Sequence, residues 1–291
     1  MKELQLFSPA KINLFLHITG KRDDGYHNLQ SVFRALNFGD TLRFRSKSSG
    51  DLVRLFGAEN ITPNVADNLI IKAVETLAKR FPAYASPVEI MLEKVIPTGA
   101  GLGGGSSNCA MTLVALNELW GLRLSATELI KIGRELGADV PFFIFAHLNG
   151  TDAVATGIGD ELTAISLPKR EYLLLLPDEH LSTTELFASP KLVANTPVIA
   201  DLQDKQALFL DKLEPPFCNA FEPIAVAQSA KVAEALTYLQ TREADTDTTA
   251  RMTGTGSVVY LPIVYMMGDG LRYKFIHEAP CQAMIVPSLF G

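Results

Sequence analysis

Residues 97–108 read P-T-G-A-G-L-G-G-G-S-S-N, and they constrain this chain more than any other stretch. Five of the seven residues from Gly99 to Gly105 are glycine, and an apolar run follows directly. Backbone without Cβ atoms lets N–H groups crowd around an anion. A helix opening at that point adds its unpaired N–H groups and the positive end of its dipole. The stretch therefore reads as a phosphate cradle. Gly99, Gly101 and Gly104 formally satisfy the dinucleotide pattern G-x-G-x-x-G, but the loop arrives well inside the chain and no fitting acidic residue follows. The Walker pattern needs Gly-Lys-Ser/Thr, whereas this loop ends Gly-Ser-Ser. The protein-kinase loop joins two strands, and here a helix comes next. A flexible turn is the bland alternative, yet five glycines leading into a buried helix exceed what a turn needs.

Periodicity around the loop predicts mixed helices and strands. Residues 4–7 form a short strand broken by Pro9. Residues 11–18 alternate, with Ile12, Leu14, Leu16 and Ile18 on one face and Lys11, Asn13, Phe15 and His17 on the other. The second set is odd for a solvent face. Residues 20–25 are a turn by composition. Strands over 29–38 and 41–45, joined at Gly39-Asp40, and another over 52–56 give an antiparallel meander. Helices are expected over 68–81, 106–119 and 125–136, the last with a capping box of Ser125 and Glu128. Residues 88–92 are a strand between the first two. Residues 142–145 are a short apolar piece. Strands follow at 151–156, 162–165 and 172–176, with helices at 183–187, 205–213 and 223–239. A polar loop spans 241–249, a strand 257–265, a weak helix 271–277 and a last strand 282–286. Two halves meet near Pro168-Lys169-Arg170, giving domains of 1–168 and 169–291 in an α+β protein.

The chain has 291 residues and is 47% hydrophobic and 20% charged, enough to bury a sizeable core. A net charge of -6 argues against a nucleic-acid surface. Three dispersed cysteines read as reduced cytosolic thiols, and neither the cysteines nor the five histidines form a metal-ligating pattern. No signal peptide and no membrane-spanning stretch is evident, so a cytoplasmic protein is expected, with no membrane partner.

Several residues could carry chemistry. Ser106 and Ser107 stand at the expected helix start; one would cap it, and the other could reach Mg²⁺ or a phosphate oxygen. Asp139, between Gly137-Ala138 and Val140-Pro141, is an N-cap or turn aspartate on local sequence. It is also a carboxylate placed to orient or deprotonate a hydroxyl. Lys11 is an ordinary strand lysine, unless its ammonium stands beside Asp139 and keeps that carboxylate ionised. Tyr26-His27 is either a packed turn or an aromatic platform beside a hydrogen-bonding imidazole, suited to a base ring. The other histidines, His180 among them, read as bland. T-G-T-G at 253–256 is a hairpin turn or a second loop closing over phosphates.

Together these pieces resemble the GHMP small-molecule kinase superfamily, whose phosphate loop is of neither Walker nor protein-kinase type. S-P-A-K-I-N-L-F-L-H-I-T-G-K-R-D-D-G-Y-H-N-L-Q-S-V-F at 8–33, L-G-A-D-V-P-F-F at 136–143 and R-M-T-G-T-G at 251–256 are similar to the branch acting on a cytidine-diphosphate-linked methylerythritol. The resemblance implies ATP-dependent phosphorylation of that substrate's 2-hydroxyl, in the non-mevalonate route to isoprenoid precursors. It implies an N-terminal ribosomal-protein-S5-like domain and a C-terminal ferredoxin-like domain. Asp139 would be the catalytic base and Lys11 its electrostatic partner. Asn13, Tyr26, His27, Thr183 and Phe187 would bind the substrate, Tyr26 by stacking. ATP would meet Asn68, Lys94, Pro97, Gly99, Gly101, Leu102, Gly103, Gly104, Gly105, Ser106, Ser107 and Asn108, with Mg²⁺ on Ser107. A monomer or weak homodimer is expected. After Gly256 the chain departs from the family, with Pro262, Met266-Met267 and Gly-Asp-Gly where a strand and a solid helix are expected.

Two other readings compete. A kinase of the same superfamily acting on mevalonate, homoserine or a sugar would have no base for Tyr26-His27 to stack. A nucleotide-sensing member that transfers nothing would have no need of both Lys11 and Asp139.

Overall fold

A computed structural model describes all residues except 1, 60, 63, 210–211 and 264–266; the side chains of 207 and 208 are also outside the description. The chain forms two compact units that interleave along the sequence. The first comprises residues 1–10, 38–98 and 103–150, and the second 11–37, 99–102 and 151–291.

In the first unit, strand β1 (Glu3–Lys21) enters and runs unbroken through Pro9. Strand β2 (His27–Ser46) is also continuous, so no turn lies at Gly39-Asp40. Gly39 has a different cause. A Cβ there would stand 2.4 Å from the Ser8 carbonyl oxygen and 2.8 Å from Pro9, so glycine admits a close approach of β1 to β2. Strand β3 (Val53–Phe56) is not part of a meander. It pairs in parallel with β4 (Val88–Glu93), because helix α1 (Leu69–Arg80) intervenes as a crossover. Asn68 caps α1 by accepting the Ile70 N–H at 2.9 Å. β4 also pairs antiparallel with Thr41–Ser46 of β2, and Leu42, Phe44, Val88, Ile90 and Leu92 face the core.

Helix α2 (Gly104–Leu119) begins two residues before the expected start, with Gly103 at its N-cap and no side-chain cap, so neither Ser106 nor Ser107 caps it. Its buried residues run nearly all round, and α1 and helix α4 (Val140–Asn149) pack on it. Burial of a side chain such as Leu113 or Leu116 contributes roughly 2 kcal/mol. Helix α3 (Ala126–Leu136) carries the expected capping box. Residues 142–145 lie within α4 rather than in a separate apolar piece.

In the second unit, Ser31–Phe33 of β2 pairs with β5 (Asp152–Thr156), and β5 with β6 (Glu161–Ile165). Strand β7 (Glu171–Leu176) follows, then helix α5 (Thr183–Ala188). The expected helix at 223–239 is two helices, α6 (Glu222–Gln228) and α7 (Ala230–Gln240). Ser229 breaks it, because its backbone is extended and its hydroxyl accepts the Val232 N–H to cap α7. A short α8 (Glu243–Thr246) interrupts the expected loop, and strand β8 (Arg251–Met252) precedes β9 (Val259–Ile263). Helix α9 (Asp269–His277) and strand β10 (Gln282–Pro287) complete the chain, despite the weak pattern after Gly256. The expected helix at 205–213 is a single 3₁₀ turn at Gln206–Phe209, followed by residues 210–211, outside the description. The end of the expected strand at 257–265 and Met266 also fall on residues 264–266, outside the description. The sheet order β10-β7-β9-β8, with α7 and α9 packed on it, is the ferredoxin-like arrangement. Its core joins Leu16 and Ile18 to Leu173, Leu175, Leu236, Val259 and Phe275.

Candidate active site

Lys11 and Asn13 lie in β1, and the odd face they share is buried: Lys11 is 3% exposed and Asn13 2%. The Lys11 ammonium donates to Asn13 Oδ1 at 2.8 Å and lies 4.9 Å from the centre of the Phe33 ring. Asn13 Nδ2 donates to Ser31 Oγ at 2.9 Å, and that hydroxyl donates to the Phe15 carbonyl. The Asn13 backbone N–H donates to Thr253 Oγ1 at 2.9 Å. Tyr260 donates its hydroxyl hydrogen to the Asn13 carbonyl. Asn13 thus orients Lys11 and is itself fixed by Ser31, Thr253 and Tyr260; Thr253 belongs to the second small-residue loop, while Ser31 and Tyr260 did not stand out in the sequence.

The two small-residue loops meet here. The Lys11 N–H donates to the Leu102 carbonyl at 2.9 Å, and the Val258 N–H reaches the Ala100 carbonyl at 3.4 Å. A Cβ on Gly101 would stand 2.7 Å from the Gly256 oxygen and 3.0 Å from the Thr253 oxygen. Gly99, Gly101 and Gly103 all have φ between 72° and 76°, a region costly for other residues. The second loop is clamped from outside the motif. Asn219 Nδ2 donates to the Met252 and Gly254 carbonyls at 2.8 and 2.9 Å. Glu222 accepts the Met252 N–H at 2.7 Å, and burial raises its carboxyl above the usual range. His180, read as bland, lies against Gly99, where a Cβ would stand 2.6 Å from Nδ1.

The expected base-binding residues lie in the same unit. Tyr26, 61% exposed, stands at the turn between β1 and β2. His27 stacks on Phe187 with centroids 5.2 Å apart. Burial, with Lys21 nearby, lowers the imidazole's pKa and favours its neutral form. Thr183 shares a hydrogen bond of 2.9 Å with Thr255 of the second loop.

In the first unit, Asp139 occupies the N-cap position of α4 and makes no side-chain capping hydrogen bond there. Lys94 pairs with Asp40 at 2.9 Å and donates to the Ile96 carbonyl. Its ammonium also lies against the start of α2, 3.2 Å from where a Gly104 Cβ would be. Asn68 uses its Oδ1 for the α1 cap. Pro97 and Gly105 are exposed, and Ser106 is half-buried. Ser107 is fully buried, with Ser8 Oγ 2.8 Å away; Ser8 Oγ is also 2.7 Å from Asn108 Oδ1. One hydroxyl hydrogen cannot serve both contacts, and the amide oxygen only accepts. Ser8 therefore donates to Asn108, and Ser107 donates to Ser8, keeping the Ser107 lone pairs for another donor or a cation. Mg²⁺ needs few protein oxygens when phosphates supply the rest, so this hydroxyl fits. Among the described residues no group of three or more His, Cys, Asp or Glu could hold a metal.

Residues 68–147 match the family described as GHMP kinases N terminal domain. The chain is 46% identical to 4-diphosphocytidyl-2-C-methyl-D-erythritol kinase of Psychrobacter arcticus, over 97% of this chain and 96% of that one. The chain belongs to the 4-diphosphocytidyl-2-C-methyl-D-erythritol kinase family. The enzyme of that name from Burkholderia ambifaria is 44% identical, over 87% of this chain and 83% of its own. A crystal structure of 4-(cytidine 5'-diphospho)-2C-methyl-D-erythritol kinase superposes with a TM-score of 0.80 at 28% identity, covering 99% of this chain and 100% of that one. The mevalonate kinase of Methanococcus jannaschii shares the fold, with a TM-score of 0.66 at 15% identity, covering 100% and 99% of the two chains. The chain is a small-molecule kinase that uses ATP.

Proposed function

We propose that the protein transfers the γ-phosphoryl group of ATP to the 2-hydroxyl of 4-diphosphocytidyl-2-C-methyl-D-erythritol, a step of non-mevalonate isoprenoid precursor synthesis in the cytoplasm. The observation that carries this reading is the meeting of the two glycine loops beside Lys11 and Asn13: Gly101 stands against Gly256 and Thr253, and Lys11 bonds Leu102. Backbone without Cβ atoms suits phosphate oxygens, and a buried ammonium suits the charge of a transferring phosphoryl group.

In this reading Asp139 takes the proton from the 2-hydroxyl as its oxygen attacks the γ-phosphorus. The bond to the bridging β–γ oxygen breaks, and ADP leaves. Lys11, oriented by Asn13, stabilises negative charge during the transfer. The cytosine ring stacks on Tyr26, and neutral His27, backed by Phe187, reads its polar edge. Thr183 lines the same side. The glycine loop and the N–H groups of α2 hold the triphosphate, with Asn68 and Lys94 towards the adenine. Ser107, together with the phosphates, would hold Mg²⁺, which when bound would supply positive charge against the phosphates. Phosphoryl transfer needs positioning and charge neutralisation rather than covalent chemistry from the protein.

A coupled assay of ADP release, run with the cytidyl substrate, mevalonate and homoserine, tests the proposal. Turnover with the cytidyl substrate far above the other two is expected. A rate with mevalonate or homoserine equal to or above it overturns the substrate assignment.

A further inference from the structure

We propose that His180 is a phosphate-binding residue of this site, donating a hydrogen bond from its imidazole to a phosphate oxygen held at Gly99. This rests on the reading that the glycine loop holds phosphates. Gly99 has φ of 74°, and the His180 ring lies where a side chain on that residue would go, 2.6 Å from an ideal Cβ. The imidazole is exposed rather than packed into the core. It therefore sits beside the cradle with polar edge to spare.

The segment that carries His180 is fixed by contacts to the second loop and to the start of α7. Ser257 donates to the Pro177 carbonyl at 3.2 Å. Leu181, buried, packs where a Cβ on Gly256 would be 3.0 Å away. The Thr183 and Thr255 hydroxyls meet at 2.9 Å. On the other side Ser229 donates to Glu179 at 3.0 Å and Lys231 to the Asp178 carbonyl at 2.7 Å. A surface histidine needs no such anchoring. A histidine that must meet a ligand does, because preorganisation lowers the ordering cost of binding. Imidazole donates in either protonation state, and a proton adds a charge that phosphate favours.

Both substrates carry phosphate: the triphosphate of ATP and the diphosphate of the cytidyl substrate. The chemistry is shared, and the experiment separates the two. Steady-state constants and equilibrium binding are measured for wild type, His180→Ala and His180→Gln, with ATP, adenosine, the cytidyl substrate and cytidine as ligands. His180→Ala is expected to raise KM for one phosphate-bearing substrate about tenfold, with a much smaller change in kcat. His180→Gln, which keeps an N–H donor, recovers most of the loss. If the contact is to ATP, ATP binding weakens and adenosine binding does not. If it is to the substrate diphosphate, the cytidyl substrate weakens and cytidine does not. Constants within twofold of wild type for both substrates overturn the proposal. So does an equal loss for cytidine or adenosine, which marks a structural histidine. Failure of the wild type to bind ATP overturns the underlying reading instead.

Discussion

Asp139 shows how little one residue's neighbourhood in sequence says about its task. G-A-D-V-P is what a turn or helix cap would use, and Asp139 does stand at the start of α4, yet its side chain makes no capping bond. As the proposed base, Asp139 carries the proton transfer, so Asp139→Ala is expected to cost most of the chemistry. Turnover should fall by about 10²–10⁴ while the ATP dissociation constant stays near wild type. Normal turnover in a coupled assay would remove the base assignment. His27 makes a different demand. Its ring is stacked on Phe187 and favours the neutral form, so it can donate and accept along a base edge. His27→Ala should raise KM for the cytidyl substrate about tenfold or more and leave KM for ATP nearly unchanged. Equal losses would mean the ring only packs. The pairing of His27 with Phe187 was available in sequence only through the family resemblance, because the 159 intervening residues fold back to bring the two rings together.

At the scale of elements, glycine was legible as a need and misread as to its cause. Gly39 looked like a turn because sequence cannot distinguish a bend from a close crossing of two strands. The loop at 97–108 was legible because many glycines together with a following apolar run admit few explanations. Its partner loop at 253–256 had no such redundancy, and the clamp of Asn219 and Glu222 on it left no local pattern at all. Two substitutions test these parts. Gly101→Ala would drive a methyl to 2.7 Å from the Gly256 oxygen, at a φ of 76°. ATP KM should rise steeply, and an unchanged value would mean that this loop does not touch phosphates. Asn219→Ala strips both amide hydrogens from the Met252 and Gly254 carbonyls and leaves them buried. A stability loss of about 2–4 kcal/mol follows from two unpaired acceptors. The same variant should raise KM for ATP, since the loop beside Gly101 loses its anchor. Urea unfolding together with ATP kinetics checks both effects; a stability loss with unaltered KM would confine Asn219 to structure.

The molecule as a whole was legible in its α+β class from the mix of helical and strand periods, but in its ferredoxin-like second half only through the family resemblance, because the pattern after Gly256 is weak. The interleaving of the two compact units was not, since β1 and β2 each pass from one to the other without a break in pattern. The buried pair of Arg34 and Asp152 was also invisible in sequence, although it ties distant parts of the second unit together. Arg34 donates to the Pro168 carbonyl and lies against the Tyr172 ring, while Asp152 accepts the Ala35 N–H at 2.9 Å. The Ala35 carbonyl in turn accepts the Leu289 N–H of the C-terminal tail. Arg34 and Asp152 approach only to 3.6 Å, and burial outweighs the attraction, pushing the Asp152 carboxyl from 3.8 up to about 6. A folded-state pKa above the unfolded one means that the native state holds its proton more tightly. This contribution to stability is complete below pH 3.8 and is lost as pH rises through about 6. Between pH 4.5 and 7 the loss amounts to about 2 kcal/mol. Asp152→Asn cannot ionise and lacks this term. The stability of wild type relative to Asp152→Asn, from urea unfolding at each pH, should therefore fall by about that amount between pH 4.5 and 7. A difference that does not change with pH would show that Arg34 holds the carboxylate ionised throughout, and that the pair is a true buried ion pair.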